Sequence, residues 1–494
     1  MEKSTPSNSG SSPSTATALK RSGPGGASRL RSLILLLLTL LVICFWPSHR
    51  PPNPVLRPVA VEAPASALKA DSGALPGIKL GWATLGSRAT NAEATAAELV
   101  AQKVAQFGRS RRELARAIGR RMGKKIPVEV ERFFDAIESG HWPDIETEWN
   151  VLAHRSGQYE DSEHGPDLNL FWPTMLDAYG VAEQAHEWPA QKLLDYGHSI
   201  LDALQPGMVY VGGTDSGRWI PELLNETSGS EPHLIVTQNA LADNSYLDYV
   251  QTLYGDKMNV ITSDESKKIF EDYVTDARRR LEHDQQFPIE PKQLRPEESV
   301  KVGTDGKTEV SGQGAVMSIN EKLLVTLMQK NPDLHFAVQE STPMKGTYAD
   351  AVPLGPLMEL QASDAQKSFT AERAAQSLEY WQKTAQQVLV DREASESSTT
   401  LKAYSHDVAS AANLLAGHNF NGEAEKAYRL ATQLWPENPE SAGGLADLLS
   451  AAGRAAEARQ VLDEFTKNYP ERQADLERVS ASARIIGPGP KPKP

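Results

Sequence analysis

Cysteine is almost absent: Cys44 is the only one among 494 residues. A disulfide framework and a multi-cysteine zinc site are therefore excluded. Basic charge is also short, with Lys plus Arg at 51 against Asp plus Glu at 64 and a net charge of −13. Nucleic acid is excluded as the main partner, because a polyanion needs a basic surface. The imbalance is uneven, since residues 1–50 hold six basic groups and one acid, leaving 63 acidic against 45 basic groups in the rest. Aromatics make up 7 %.

There is one long apolar run. Leu33 to Trp46 (LILLLLTLLVICFW) is nearly pure hydrocarbon, with Lys20, Arg21, Arg29 and Arg31 before it and Pro47 after it. The pattern predicts a transmembrane signal anchor over 33–46, and the basic flank predicts a cytoplasmic N-terminus with the bulk exported, periplasmic in a bacterial inner-membrane protein. The nearest small-residue cleavage sites, Ala63-Pro64-Ala65 and Ala65-Ser66-Ala67, lie well beyond Trp46, which favours an uncleaved anchor. Ile43 before Cys44 argues against a lipid-attachment box and for an ordinary apolar cysteine.

The rest of the chain divides by composition and period. Residues 1–32 read as a disordered cytoplasmic tail and 47–90 as a Pro-rich tether. Residues 91–205 show helical spacing (Leu99, Val104, Phe107; Phe133, Phe134, Ile137; Ile145, Trp149, Leu152), punctuated by Gly108, Gly123, Pro127, Gly140 with Pro143, and Gly157. The cluster Arg109, Arg111, Arg112, Arg116, Arg120, Arg121, Lys124 and Lys125 reads as a solvated helix face, with anionic lipid as the other option.

Residues 206–362 change period. Met208–Val211, Leu234–Thr237, Met258–Ile261 and His335–Val338 read as strands between amphipathic helices, which predicts an α/β domain on a mostly parallel sheet. Thr262 and Glu265 form a capping box ahead of a long helix, Ser299–Ser311 reads as a hairpin turning at Asp305-Gly306, and Ile319–Gln329 is again helical. A connecting helix over 363–393 and a Ser/Thr linker near 394–400 follow. Residues 487–494 read as a disordered tail.

The strongest periodicity lies in 401–486. With Ser405 as position 1 of a 34-residue unit, Ala412, Leu415, Ala424, Tyr428, Ala431 and Pro436 take the small, large, small, aromatic, small and proline positions of a tetratricopeptide repeat. A shift of one unit gives Ala446, Leu449, Ala458, Leu462, Phe465 and Pro470. Small residues let paired helices approach while large ones fill the gap to the next unit. Two units need a cap, supplied by the preceding helix or by Gln473–Ile485.

Chemistry is sparse. Gly212-Gly213-Thr214-Asp215-Ser216-Gly217-Arg218 joins a predicted strand to a helix with Pro221 in its first turn, where backbone N–H groups can face an anion or nucleotide. Neither glycine-rich phosphate signature is matched. Parallel strands would bring Asn239, Asp243, Asp264 and Glu340 to the same edge, so Gly212, Gly213, Asp215, Arg218, Asn239, Asp243 and Glu340 form a candidate edge for a glycan or nucleotide. Capping and turn formation explain the same Asp and Asn residues and are the favoured reading. Asp215-Ser216-Gly217 is similar to the nucleophile segment of trypsin-like proteases, but Thr214 precedes it and strand-to-helix is the wrong context. His186-Glu187 lacks a second histidine at Ala190, and His141, His154, His164 and His198 have no metal spacing. No metal, cofactor or catalytic set is predicted.

The segments YVGGTDSGRWIPELLNE, LIVTQNALADNSYLDYV, INEKLLVTLMQKNP and HFAVQES resemble an uncharacterised bacterial group of membrane-anchored tetratricopeptide proteins. Over about 150 residues the same blocks are similar, more distantly, to the soluble tail of multi-span glycosyltransferase-like membrane proteins. Those carry a G-G-D-x-D loop at the place of Gly212 to Asp215, whereas this chain has Thr214 and no multi-span region. The resemblance implies an exported α/β domain with helical repeats and no established activity. The expectation is an anchored interaction protein that docks a protein partner through its repeats, with a small-ligand or glycan-handling domain as the alternative.

Overall fold

The computed structural model describes residues 94–155, 168–213, 215–229, 232–295, 298–303, 306–339, 351–360 and 369–485. The expected anchor, tether and both tails lie outside these residues. Among the described residues no helix is long and apolar enough to cross a membrane.

Five helices come first: α1 (Ala96–Arg121), α2 (Val128–Ser139), α3 (Trp142–Arg155), α4 (Trp172–Glu187) and α5 (Ala190–Leu201). Thr95 and Glu98 cap α1 reciprocally, and Gly140 ends α2 in the left-handed conformation at φ 70°. Gly108 does not end a helix, contrary to its reading as a joint. It lies inside α1, where an added Cβ would sit 2.5 Å from Ile137 Cγ2, so its smallness lets α2 approach.

The sheet holds β1 (Met208–Gly212), β2 (Leu234–Thr237), β5 (His335–Val338), β6 (Val352–Leu354) and β7 (Leu357–Leu360) in the order β2-β1-β5-β7-β6. β1 pairs in parallel with β2 and β5, but β7 is antiparallel to both β5 and β6. The sheet is thus mixed, not mostly parallel. The expected strand Met258–Ile261 is irregular. Its apolar side chains are buried, but the side chain of Asn331 takes the place of a ladder: Asn259 N–H donates to Asn331 Oδ1 at 2.7 Å and Asn331 Nδ2 donates to the Asn259 carbonyl at 3.0 Å.

Between the strands run α6 (Ser216–Glu226), α7 (Asn244–Tyr254), α8 (Ser263–Gln286), the hairpin β3 (Ser299–Val302) with β4 (Thr308–Ser311), and α9 (Gln313–Lys330). Alternate strand residues face opposite layers. Val209, Val211, Leu234 and Val236 pack with Tyr246, Tyr273 and Leu323 of α7, α8 and α9. Met208, Tyr210, Ile235 and Ala337 pack with Phe107, Val181, Ile200 and Ile220 of α1, α4, α5 and α6. The first five helices therefore share a core with the sheet. Pro221 lies in the second turn of α6, one turn later than expected. It cannot donate to the Gly217 carbonyl, and the Tyr210 hydroxyl does so instead.

The C-terminal helices are α10 (Ala371–Val390), the single turn α11 (Arg392–Ser395), α12 (Ser398–Gly417), α13 (Asn421–Leu434), α14 (Pro439–Ala451), α15 (Ala455–Asn468) and α16 (Gln473–Ile485). Ser397 caps α12, so helix occupies most of the expected Ser/Thr linker. α10 does more than connect, because Leu378 and Trp381 share a core with Val408, Ala412, Leu415, Ala424, Tyr428 and Ala431. At the other end Leu476 of α16 packs with Ala442 and Phe465. Both ends of the two-unit stack are covered.

Candidate functional site

At the carboxyl end of β1 the chain turns sharply into α6. Gly212 and Gly213 are buried. Asp215 has φ 57° and ψ −126°, it stands at the cap position of α6, and its side chain makes no capping bond. It is exposed, and desolvation by the protein around it raises its pKa; Lys402, His406 and Arg218 act against the rise and Glu187 adds to it. Thr214 and Glu340 lie outside the described residues. Asp243 caps α7 by accepting from the Ser245 N–H at 2.8 Å. Asn239 lies in the turn after β2, with Oδ1 buried and without a hydrogen-bond partner.

Arg218 points inward. Its guanidinium bonds to Asp177, which is fully buried, and lies 3.6 Å from Glu222. Tyr249 donates to the other Asp177 oxygen, and Arg111, 1 % exposed, lies 3.4 Å from Asp177 and bonds to both oxygens of Glu226. Burial, then the neighbouring Asp177, pushes the Glu222 carboxyl well above the usual range. A proton held on Glu222 leaves two acids opposite two guanidinium groups. This cluster joins α1, α4, α6 and α7. The basic series of α1 is correspondingly spent on partners: Arg112 reaches Asp135 and Glu138, and Arg116 reaches Glu131 and Glu113. Arg120, Arg121, Lys124 and Lys125 remain exposed.

The sheet order reverses between β1 and β5, the place where open α/β sheets usually hold ligands. Here a protein side chain fills it. Gln339, just after β5, has its Oε1 2.9 Å from the Tyr210 hydroxyl and its Nε2 2.7 Å from Asp407 Oδ1, and Nε2 also bonds to the Tyr196 hydroxyl. Asp407 belongs to α12, so the first repeat helix is fastened to the sheet edge. Tyr404, one turn earlier, meets Tyr196 edge to face at 5.3 Å. Desolvation pushes the Asp407 carboxyl up to about 7.

Beside this contact, α12 carries an accessible polar face. Neighbouring His406 has Nδ1 3.2 Å from Glu440 Oε2 in the first turn of α14. Desolvation opposes the charge on Glu440, but His406 and Lys402 outweigh it and lower its pKa. Trp435 packs near the cations Lys402 and Arg472 and the His406 ring. None of Asp177, Gln339, Lys402, His406, Asp407 and Glu440 was selected by spacing. The one available signal is polar Asp407 next to the apolar repeat position Val408. Among the described residues no group of three or more potential metal ligands occurs.

The repeat positions are placed as a packed stack. Ala412, Leu415, Ala424, Tyr428, Ala431, Ala446, Leu449, Ala458 and Phe465 are buried, and Leu462 is half-buried. Pro436 follows α13 by two residues and Pro470 follows α15 by two, where each helix has ended. No curated protein and no solved structure matches the chain. A model of the tetratricopeptide repeat family matches residues 421–482, spanning α13 to α15 and most of α16, and the chain is thus one that contains tetratricopeptide repeats.

Proposed function

We propose that this is a membrane-tethered, exported protein-interaction module whose tetratricopeptide stack docks a protein partner. The observation that supports docking is the stack itself, two units covered by α10 and α16, in the family whose repeats serve as interaction surfaces. Since Asp407, Tyr404 and Leu414 of α12 pack toward the α/β core, the partner meets the outer helices, where Arg429, Gln433, Arg459 and Asp463 are exposed. Tethering and export rest on the run 33–46 and its basic flank. Photo-cross-linkers at Arg429 and Arg459 of the full chain should capture one common partner, while one at Glu146 on α3 should not. Equal capture from all three positions argues against a repeat-centred interface. A reporter fused after Pro494 should be active outside the cytoplasm and stay membrane-bound.

A second reading, a ligand-handling edge at Gly212 to Arg218, is favoured by Asp215, an exposed carboxylate in a costly backbone conformation that serves no cap.

A further inference from the structure

The arginines of α1 fall into two groups. Those in its middle are paired: Arg109 lies 3.8 Å from Glu138, Arg111 bonds to Glu226, Arg112 reaches Asp135 and Glu138, and Arg116 reaches Glu113 and Glu131. From Leu114 to Val128 the sequence then holds five cations and no acid. Arg120, Arg121, Lys124 and Lys125 are exposed, and their side chains form no ion pair or hydrogen bond among the described residues.

The backbone fixes where these four charges stand. α1 ends in a left-handed turn, with Gly123 at φ 62° and the Lys124 N–H returning to the Gly119 carbonyl at 2.8 Å. Gly119 permits the return, because an added Cβ would lie 2.9 Å from the Lys124 carbonyl oxygen and 3.4 Å from the Phe171 ring. Ile118 and Phe171 are buried, so the turn is seated on the core. Two apolar side chains of the same stretch are left in solvent, Met122 at 50 % exposure and Val128 at 64 %.

The attraction between a helix C-terminus and cations falls off within the last turn, so it gives Arg120 and Arg121 a reason and leaves Met122, Lys124, Lys125 and Val128 without one. Cationic heads on long stems beside exposed apolar side chains match the headgroup layer of a bilayer, where phosphates meet the first methylenes. We propose that the turn 120–128 docks on the anionic phospholipids of the membrane that holds the chain. The inference rests on the tethered reading of 33–46 and adds which end of the folded part faces the lipid. A net charge of −13 makes an anionic bilayer repel the protein as a whole, and within a Debye length of about 8 Å a local excess of cations reverses the sign. Clusters of Lys and Arg bind anionic leaflets in this way. Residues 47–93 separate the apolar run from the described chain, and 47 residues span no more than about 160 Å, against about 39 Å for the 26 residues of α1. The far end of α1 is therefore within reach of the bilayer.

The test uses the full chain with its only native cysteine replaced, Cys44→Ser, and an environment-sensitive dye attached through Met122→Cys. Vesicles are either phosphatidylcholine alone or equal parts phosphatidylcholine and phosphatidylglycerol, with nitroxide-bearing headgroups as quencher. The expected result is quenching and a blue shift at position 122 in the phosphatidylglycerol vesicles, ~10-fold weaker in phosphatidylcholine. Salt at about 1 M, where the Debye length shrinks to about 3 Å, should reverse it. The same dye attached through Ile289→Cys, an apolar position 99 % exposed, should report no quenching in either vesicle, which separates docking from insertion driven by the dye. Arg120→Gln, Arg121→Gln, Lys124→Gln and Lys125→Gln together should abolish the signal at position 122 with circular dichroism unchanged, since all four side chains lie in solvent. Lys124→Gln with Lys125→Gln, both beyond the end of α1, should weaken it part-way. Equal quenching in both vesicles, quenching through Ile289→Cys, or a signal that survives the four substitutions overturns the docking surface. A response to soluble polyglutamate with none to phosphatidylglycerol overturns it too and gives the turn to an acidic protein. Flotation decides the tether separately. Co-flotation with phosphatidylcholine in high salt without quenching at position 122 in phosphatidylglycerol vesicles keeps the tether and removes the docking surface, whereas quenching by phosphatidylglycerol without co-flotation with phosphatidylcholine removes the tether and keeps the surface.

Discussion

The side-chain amide of Gln339 donates to Asp407 across 2.7 Å, and this bond joins the edge of the sheet to the first repeat helix. Asp407 is 4 % exposed, so its proton matters to the junction. Its folded pKa is raised from 3.8 to about 7 by desolvation, which means that the native state binds the proton more tightly than the unfolded chain. The corresponding stability is complete below pH 4 and drains as pH rises to 7, by at most about 1.4 kcal/mol per pH unit. Asp407→Asn should flatten this slope while keeping an acceptor for Gln339. The difference between wild-type and variant denaturation midpoints from pH 4 to 8 measures it.

Ala458 sits 2 % exposed where α15 meets the rest of the stack. Ala458→Trp should overpack the site and cost about 1 to 3 kcal/mol. Hydrogen exchange should speed up in α14 and α15 and stay unchanged in β1 and β2. Unchanged protection in α15 would mean that the small residue is not needed for close packing.

The repeats were legible because their signal is local: small, aromatic and proline positions recur at one spacing within each pair of helices. β1, β2 and β5 were legible as apolar runs of strand length. β6 was not, since Val352-Pro353-Leu354 is three residues with a proline, a pattern tolerated at an edge strand and invisible as periodicity. The turn at Asp215 announced itself by its glycines, but its neighbours did not. Asp407 is about two hundred residues away in sequence and is fastened to the sheet edge by Gln339, a pairing that no spacing rule contains. Arg218 looked like a ligand contact because its buried partner, Asp177, comes from a distant helix.

Glu265 shows a smaller effect of known sign. Lys330, and next the Thr262 N–H, hold its carboxyl at about 2, so its contribution is present above the ordinary carboxylate pKa and is lost as pH falls toward 2. The side chain is 41 % exposed, and solvent screening limits the salt bridge to at most ~1 kcal/mol. Glu265→Gln should therefore lower stability at pH 7 by no more than that, with the difference shrinking as pH falls through 2, as measured by urea denaturation.

The buried cluster around Asp177 separates two acids that look alike in sequence. Asp177 accepts from Tyr249 and Arg218 and lies beside Arg111, so Asp177→Ala would strand two buried guanidinium groups with too little opposing charge. Breaking a buried ion pair from one side typically costs about 3 to 5 kcal/mol, and a loss of that size is expected in chemical denaturation. Glu222 is as deeply buried, yet desolvation and the neighbouring Asp177 keep its proton on. Glu222→Gln replaces a neutral acid by a neutral amide of the same shape and should change stability by less than about 1 kcal/mol near pH 4, where the acid is protonated in both the folded and the unfolded chain. As pH rises from about 4.5 to about 8, the folded wild-type protein holds a proton that the unfolded chain releases, so it should lose stability relative to Glu222→Gln across that window. Equal large losses in both variants at neutral pH would show that Glu222 is ionised there, and that the cluster carries three negative charges against two positive ones.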